Sequence, residues 1–99
     1  MKVIADVCII PLVQETSLSS YVAEVEKILE EKGLSPRLHA YGTNVEGEWD
    51  EVMDAIREVH EKLHAMGVPR ISSNMRFGTR IDRDQSGEDK IKSVRDKLK

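Results

Sequence analysis

The chain has 99 residues, 33% of them charged, 39% hydrophobic, and a formal net charge of -3. That is the composition of a soluble globular domain with one modest core, not of a disordered segment. A slightly acidic net charge argues against a nucleic-acid or acidic-membrane partner, which usually demands a basic patch. No apolar run reaches the roughly 18 residues of a transmembrane span. The first dozen residues lack the basic stretch and small-residue cleavage site of a signal peptide. A single cysteine, Cys8, has no internal disulfide partner, so a cytoplasmic location is expected.

Lys2 to Leu12 reads as a strand, rich in Val and Ile and ended by Pro11. Its two faces, Val3/Ala5/Val7/Ile9 and Ile4/Asp6/Cys8/Ile10, are both mainly apolar, as in a strand covered on both sides. Ser17, Ser19 and Ser20 then offer capping hydroxyls for a helix through Lys32, with Tyr21, Val25, Ile28 and Leu29 as its buried stripe. Gly33 suits its C-terminal cap, and Pro36 prevents resumption. Arg37 to Tyr41 is extended and passes through a glycine-rich corner into Val45-Glu46.

A second helix runs from Trp49 to about Met66, with Val52, Met53, Ile56, Val59, His60 and Leu63 on one stripe and acids in its first turn. Arg70 to Asp82 alternates as a long strand, apolar toward Ile71, Met75 and Phe77 and polar toward Asn74, Arg76 and Arg80. Ser86 to Asp89 forms a capping-box pattern for a last helix to about Leu98. No linker or repeat interrupts residues 1–99, so one domain is expected. The order β-α-β-β-α-β plus a terminal helix predicts an α+β, ferredoxin-like fold: a four-stranded antiparallel sheet with two helices on one face. The second face, carrying Ile4, Cys8 and Ile10, is then expected to be buried by self-association into a homo-oligomer, dimer or tetramer.

Chemistry-bearing patterns are few. His60-Glu61-Lys62-Leu63-His64 matches the zinc-hydrolase pattern H-E-x-x-H, but spacing fixes no third ligand and His60 falls in the apolar stripe. No metal or cofactor is expected. Cys8 sits in an apolar strand where a thiol is normally inert. No nucleophile elbow, phosphate loop or dinucleotide fingerprint occurs, so no catalytic residue is assigned and a non-enzymatic role is expected. Four aromatics in all are too few for RNA stacking on the sheet. Asp6, inside the first strand, needs a partner, for which Arg76 or Arg80 is the expected cation. Polar groups gather at strand ends instead, around Ser17 and Ser19 and along Gly42-Thr43-Asn44-Val45-Glu46-Gly47-Glu48. Such a junction is either a structural corner or the lining of a small-molecule pocket.

Several segments together resemble a known family: Val3-Ile4-Ala5-Asp6-Val7, Ser17-Leu18-Ser19-Ser20-Tyr21-Val22, the corner from Gly42 to Val52, Met66-Gly67-Val68-Pro69-Arg70-Ile71, and Lys90-Ile91-Lys92-Ser93-Val94. The family is the small archaeal and bacterial thiamine-binding proteins of ferredoxin-like fold. The resemblance implies non-enzymatic, oligomeric binding of thiamine or its hydroxymethylpyrimidine portion, as a cytosolic carrier or sensor. It carries ligand contacts onto Ser17, Thr43 and Glu46, and the chemistry of the ligand makes Ser19, Tyr41, Asn44 and Glu48 further candidates around them. A regulatory or structural oligomerisation module without thiamine binding is the alternative. The pair Ala40-Tyr41 departs from the smaller or proline-containing pair expected there, and so bears on pocket size.

Overall fold

A computed structural model describes residues 1–99. The elements are β1 (Lys2–Pro11), α1 (Ser19–Glu31), β2 (Arg37–His39), β3 (Gly42–Glu48), α2 (Trp49–Ala65), β4 (Ile71–Thr79) and α3 (Gly87–Lys97). They form one sheet in the order β2-β3-β1-β4, every neighbouring pair antiparallel. This is the ferredoxin-like arrangement, with β1 central as its doubly apolar sequence requires.

Register and period two decide which side chains meet. Val7 stands between Thr43 and Met75, and Ala5 between Val45 and Phe77. These odd positions face α1 and α2. There Val3, Ala5, Val7 and Val45 pack against Val25, Ile28 and Leu29 of α1 and Val52, Ala55, Val59 and Leu63 of α2. Each fully buried aliphatic side chain contributes about 1.5–3 kcal/mol. Leu34 and Val68, both sealed from solvent, close the two ends of the core beneath loops. Both helices that cover the sheet stop before a glycine of positive φ, Gly33 at 72° and Gly67 at 96°, a conformation that costs other residues strain.

Three boundaries differ from the sequence reading. Helix α1 has Leu18, which carries no acceptor, at its N-cap position and so no side-chain cap; Ser17 and Ser19 on either side bond each other at 3.2 Å. Strand β2 ends at His39, since Ala40 and Tyr41 form the turn into β3. Strand β4 ends at Thr79, because Arg80 folds back on Asp82 with two bonds of 2.5 and 2.9 Å and on Gln85 at 2.8 Å. The expected capping box of α3 is present: the Asp89 amide donates to Ser86 Oγ at 3.1 Å, and the Ser86 amide donates to Asp89 Oδ2 at 2.9 Å. That amide, followed by the Ser86 side chain, holds the Asp89 carboxyl below the usual carboxylate range.

The even positions line the opposite face of the sheet, where no helix packs along its length. Helix α3 meets this face through its N-terminal end: the Gly87 amide donates to Glu46 Oε1 at 2.6 Å, Glu88 pairs with Arg37, and Ile91 lines a recess with Ile4 and Arg76. No residue of α3 is buried, and Val94 and Leu98 of its apolar stripe are exposed. Asp6 is partnered on this side by His39 at 2.7 Å, not by the expected arginine. Arg76 lies directly across from Asp6 in the ladder, but the β2–β3 turn delivers the imidazole closer, and Arg80 is engaged by Asp82.

Candidate functional site

One cleft in the molecule combines an apolar lining with a buried hydroxyl and a part-buried carboxylate. It opens between α1, the C-terminal half of β1 and the β2–β3 turn, and has a volume of about 280 Å³. Leu18, Val22, Val25 and Leu29 of α1 form one wall, and Leu38 and Tyr41 flank the mouth from the turn. At its base the Thr43 hydroxyl donates to Glu26 Oε2 at 2.9 Å. Thr43, 5% exposed, is the one buried polar residue of the chain. Burial pushes the Glu26 carboxyl above its ordinary range, and the Thr43 hydrogen bond partly opposes that shift. A carboxylate in apolar surroundings with one donor retains lone pairs for a further partner, which is how pockets fix the orientation of a polar ligand.

The turn that forms the mouth is clasped to β1. The Tyr41 amide donates to His39 Nδ1 at 3.2 Å, so the opposite nitrogen carries the proton that bonds Asp6 Oδ1 at 2.7 Å. Gly42 makes room for this clasp. A Cβ on Gly42 would stand 2.7 Å from the Val7 carbonyl oxygen and 3.2 Å from Asp6 Oδ1. The glycine is therefore required by close approach, and the tip of the turn is held over the cleft rather than loose.

The residues implied by the resemblance and by the ligand chemistry do not converge on one point. Thr43 and Tyr41 line the cleft, Tyr41 being 87% exposed at the rim. Asn44 and Glu46 lie on the other face of the sheet, as strand alternation demands, and Glu46 is engaged by the Gly87 amide at the start of α3. Glu48 pairs with the Met1 amino group at 2.7 Å at the far end of β3. Ser17 and Ser19 bond each other on the exposed β1–α1 connection, beside Leu18 of the cleft wall. Of the other aromatics, Tyr21 donates to Glu15 at 3.0 Å, and Trp49 packs edge-on against Phe77 with centroids 5.4 Å apart.

Glu26 is the site residue that the sequence reading missed. Its signal was present: it follows Val22 by four positions and precedes Leu29 by three, so a carboxylate falls on the apolar side of α1. The helical histidines have structural partners, His60 Nε2 at 2.7 Å from Ser73 Oγ and His64 Nδ1 at 2.8 Å from the Val68 carbonyl. No group of three or more His, Cys, Asp or Glu side chains is placed to hold a metal ion. No helix is long and apolar enough to cross a membrane.

An open βαββαβ sheet with a polar pair set beneath α1 defines a small ferredoxin-like α+β protein. The sequence model of the thiamine-binding protein family matches residues 5–95, and the chain belongs to that family. It is 54% identical over 94 residues to a UPF0045 protein of Synechocystis, covering 95% of this chain and 78% of the relative. It is 41% identical over 99 residues to the UPF0045 protein ECM15 of Eremothecium gossypii, covering 99% and 94%. The crystal structure of a Methanocaldococcus jannaschii protein superposes with a TM-score of 0.85 at 33% identity, covering 94% of this chain and 95% of the other. A Thermotoga maritima protein provisionally assigned to thiamine biosynthesis or salvage superposes with a TM-score of 0.81 over 95% of this chain and 99% of the other. At 20% identity, that likeness speaks for the fold alone.

Proposed function

We propose that this protein binds thiamine, or the hydroxymethylpyrimidine portion of it, without turnover, as a cytosolic homo-oligomeric carrier or sensor. The observation that carries the reading is the Glu26–Thr43 pair at the base of an otherwise apolar cleft. The aminopyrimidine presents an exocyclic amine that Glu26 accepts from, a charged hydrogen bond that contributes about 1.5–3 kcal/mol. The Tyr41 ring at the mouth offers a face to the cationic thiazolium, a contact of about 0.5–1 kcal/mol at an exposed site. The cleft volume lies just below the usual ligand-pocket range of about 300–1,000 Å³, which suits a small heterocycle. A binding rather than catalytic role is supported by the pairing of the polar groups. Glu26 is bonded to Thr43 and His39 to Asp6, and no hydrogen bond joins either base to a side chain that could act as a nucleophile. Membership of the family supports the ligand class.

Calorimetric titration with thiamine and with hydroxymethylpyrimidine tests the reading directly. At least one should bind saturably in the micromolar range; millimolar or absent binding of both would remove it.

A second observation favours self-association. Cys8 and Ile10, on the open face at the Pro11 end of β1 and away from Ile4, are only half-buried, and Val94 and Leu98 of α3 are exposed. Sedimentation velocity at micromolar concentration should show a dimer or tetramer, and a monomer alone would refute that part. Oligomers that ignore both ligands yet co-purify with a transporter or biosynthetic enzyme would support the rival reading, a regulatory module.

A further inference from the structure

We propose that the corner where β4 runs out toward α3 is a second binding site, one that takes a phosphorylated small molecule. It is a recess of about 620 Å³ on the face of the sheet opposite the Glu26 cleft, so it does not rest on the thiamine reading. Four cations line it, Lys2, Arg80, Arg83 and Lys90, against the single carboxylate of Asp84. Even when Asp82 and Asp89, both outside the lining but near enough to interact with Arg83, are set against these cations with Asp84, one positive charge remains in excess in a chain whose net charge is -3.

Two of the cations lack a direct ion-pair partner. Arg83 and Lys90 make no ion pair, while Lys2 reaches Asp84 only at 3.6 Å, with that carboxylate 93% exposed. Arg80 is already oriented, since bonds to Asp82 and Gln85 occupy three of its five N–H groups and leave two on a fixed fork. A pre-set guanidinium beside flexible ammonium groups suits a phosphate dianion, which needs several donors and more than one positive charge.

The floor argues for an organic ester rather than the free ion. It is formed by Ile4 and, directly across the ladder, by Gly78. A Cβ built on Gly78 meets nothing within 4 Å, so the missing side chain leaves open, apolar-floored space beside the cations. Inorganic phosphate has no use for that floor, whereas the body of an ester covers it.

Calorimetry at low ionic strength with phenyl phosphate and inorganic phosphate as probes tests the site. Phenyl phosphate should bind saturably, about tenfold tighter than inorganic phosphate. The double reversal Arg83→Glu/Lys90→Glu should weaken it at least tenfold. A charge-matched control on the helix side, Lys27→Glu/Lys62→Glu, should change it by less than about twofold. Gly78→Leu, which fills the floor and leaves every charge in place, should also weaken the ester, and it serves where the reversal fails to fold by circular dichroism. Absence of binding, equal affinity for the two probes, or equal loss in reversal and control would each overturn the proposal.

Discussion

Glu26→Gln should make the protein more stable wherever Glu26 would be ionised, while weakening its affinity for thiamine about tenfold. The stability half follows from the sign of the linkage. Burial raises the folded-state pKa of Glu26 above its unfolded value, so the native state holds that proton more tightly than the unfolded chain. The contribution is fully present below the unfolded pKa and is lost as pH rises through the raised folded value. Above that window the parent carries a desolvated carboxylate that glutamine lacks, while the glutamine carbonyl still accepts from Thr43. Thermal melts of both proteins from pH 4 to 8 should therefore start together and separate as pH rises. The affinity half follows from exchanging a charged acceptor for a neutral one, a difference of about 1.4 kcal/mol. A variant that is both stabler and poorer at binding marks a side chain kept for its ligand rather than for the fold. Unchanged affinity would place the ligand away from Glu26, whatever the melts showed.

Leu29→Ala should cost about 2–5 kcal/mol, a large share of the roughly 5–15 kcal/mol that holds a domain of this size. Leu29 is fully buried, belongs to the central cluster, and also forms part of the cleft wall. Removing its outer carbons leaves a void that α1 cannot collapse into without losing Val25 and Ile28 from the same stripe. Differential scanning calorimetry should show a fall in melting temperature of roughly 10–30 °C. A loss below about 1 kcal/mol would mean that α1 rests loosely on the sheet, and the cleft beneath it would then have no fixed wall.

Much of the architecture is local in origin and was therefore legible. The doubly apolar β1, the 3.6-residue stripes of α1 and α2, the glycines after both helices and the Ser86–Asp89 box each state their structure within a few positions. Where the reading erred, a competing contact or a shifted boundary decided: Arg80 prefers Asp82 to the ladder, and α1 takes Leu18, which carries no acceptor, at its N-cap position. The corner from Gly42 to Glu48 looked like one niche because its polar residues are adjacent in the chain. Alternation along β3 sends Thr43 beneath α1 and Asn44 and Glu46 to the other face, where α3 takes up Glu46.

By itself, then, the sequence determined the order of elements, the ferredoxin-like topology and the family, since periodicity and capping act over short spans and leave few ways to pair four strands. Only the tertiary structure decided the site. Glu26 and Thr43 are 17 positions apart on different elements, and they meet because α1 packs its apolar stripe across β3. No local pattern encodes that meeting, because it is the hydrophobic contact between helix and sheet that carries a carboxylate into an apolar cleft and leaves it partly unsatisfied.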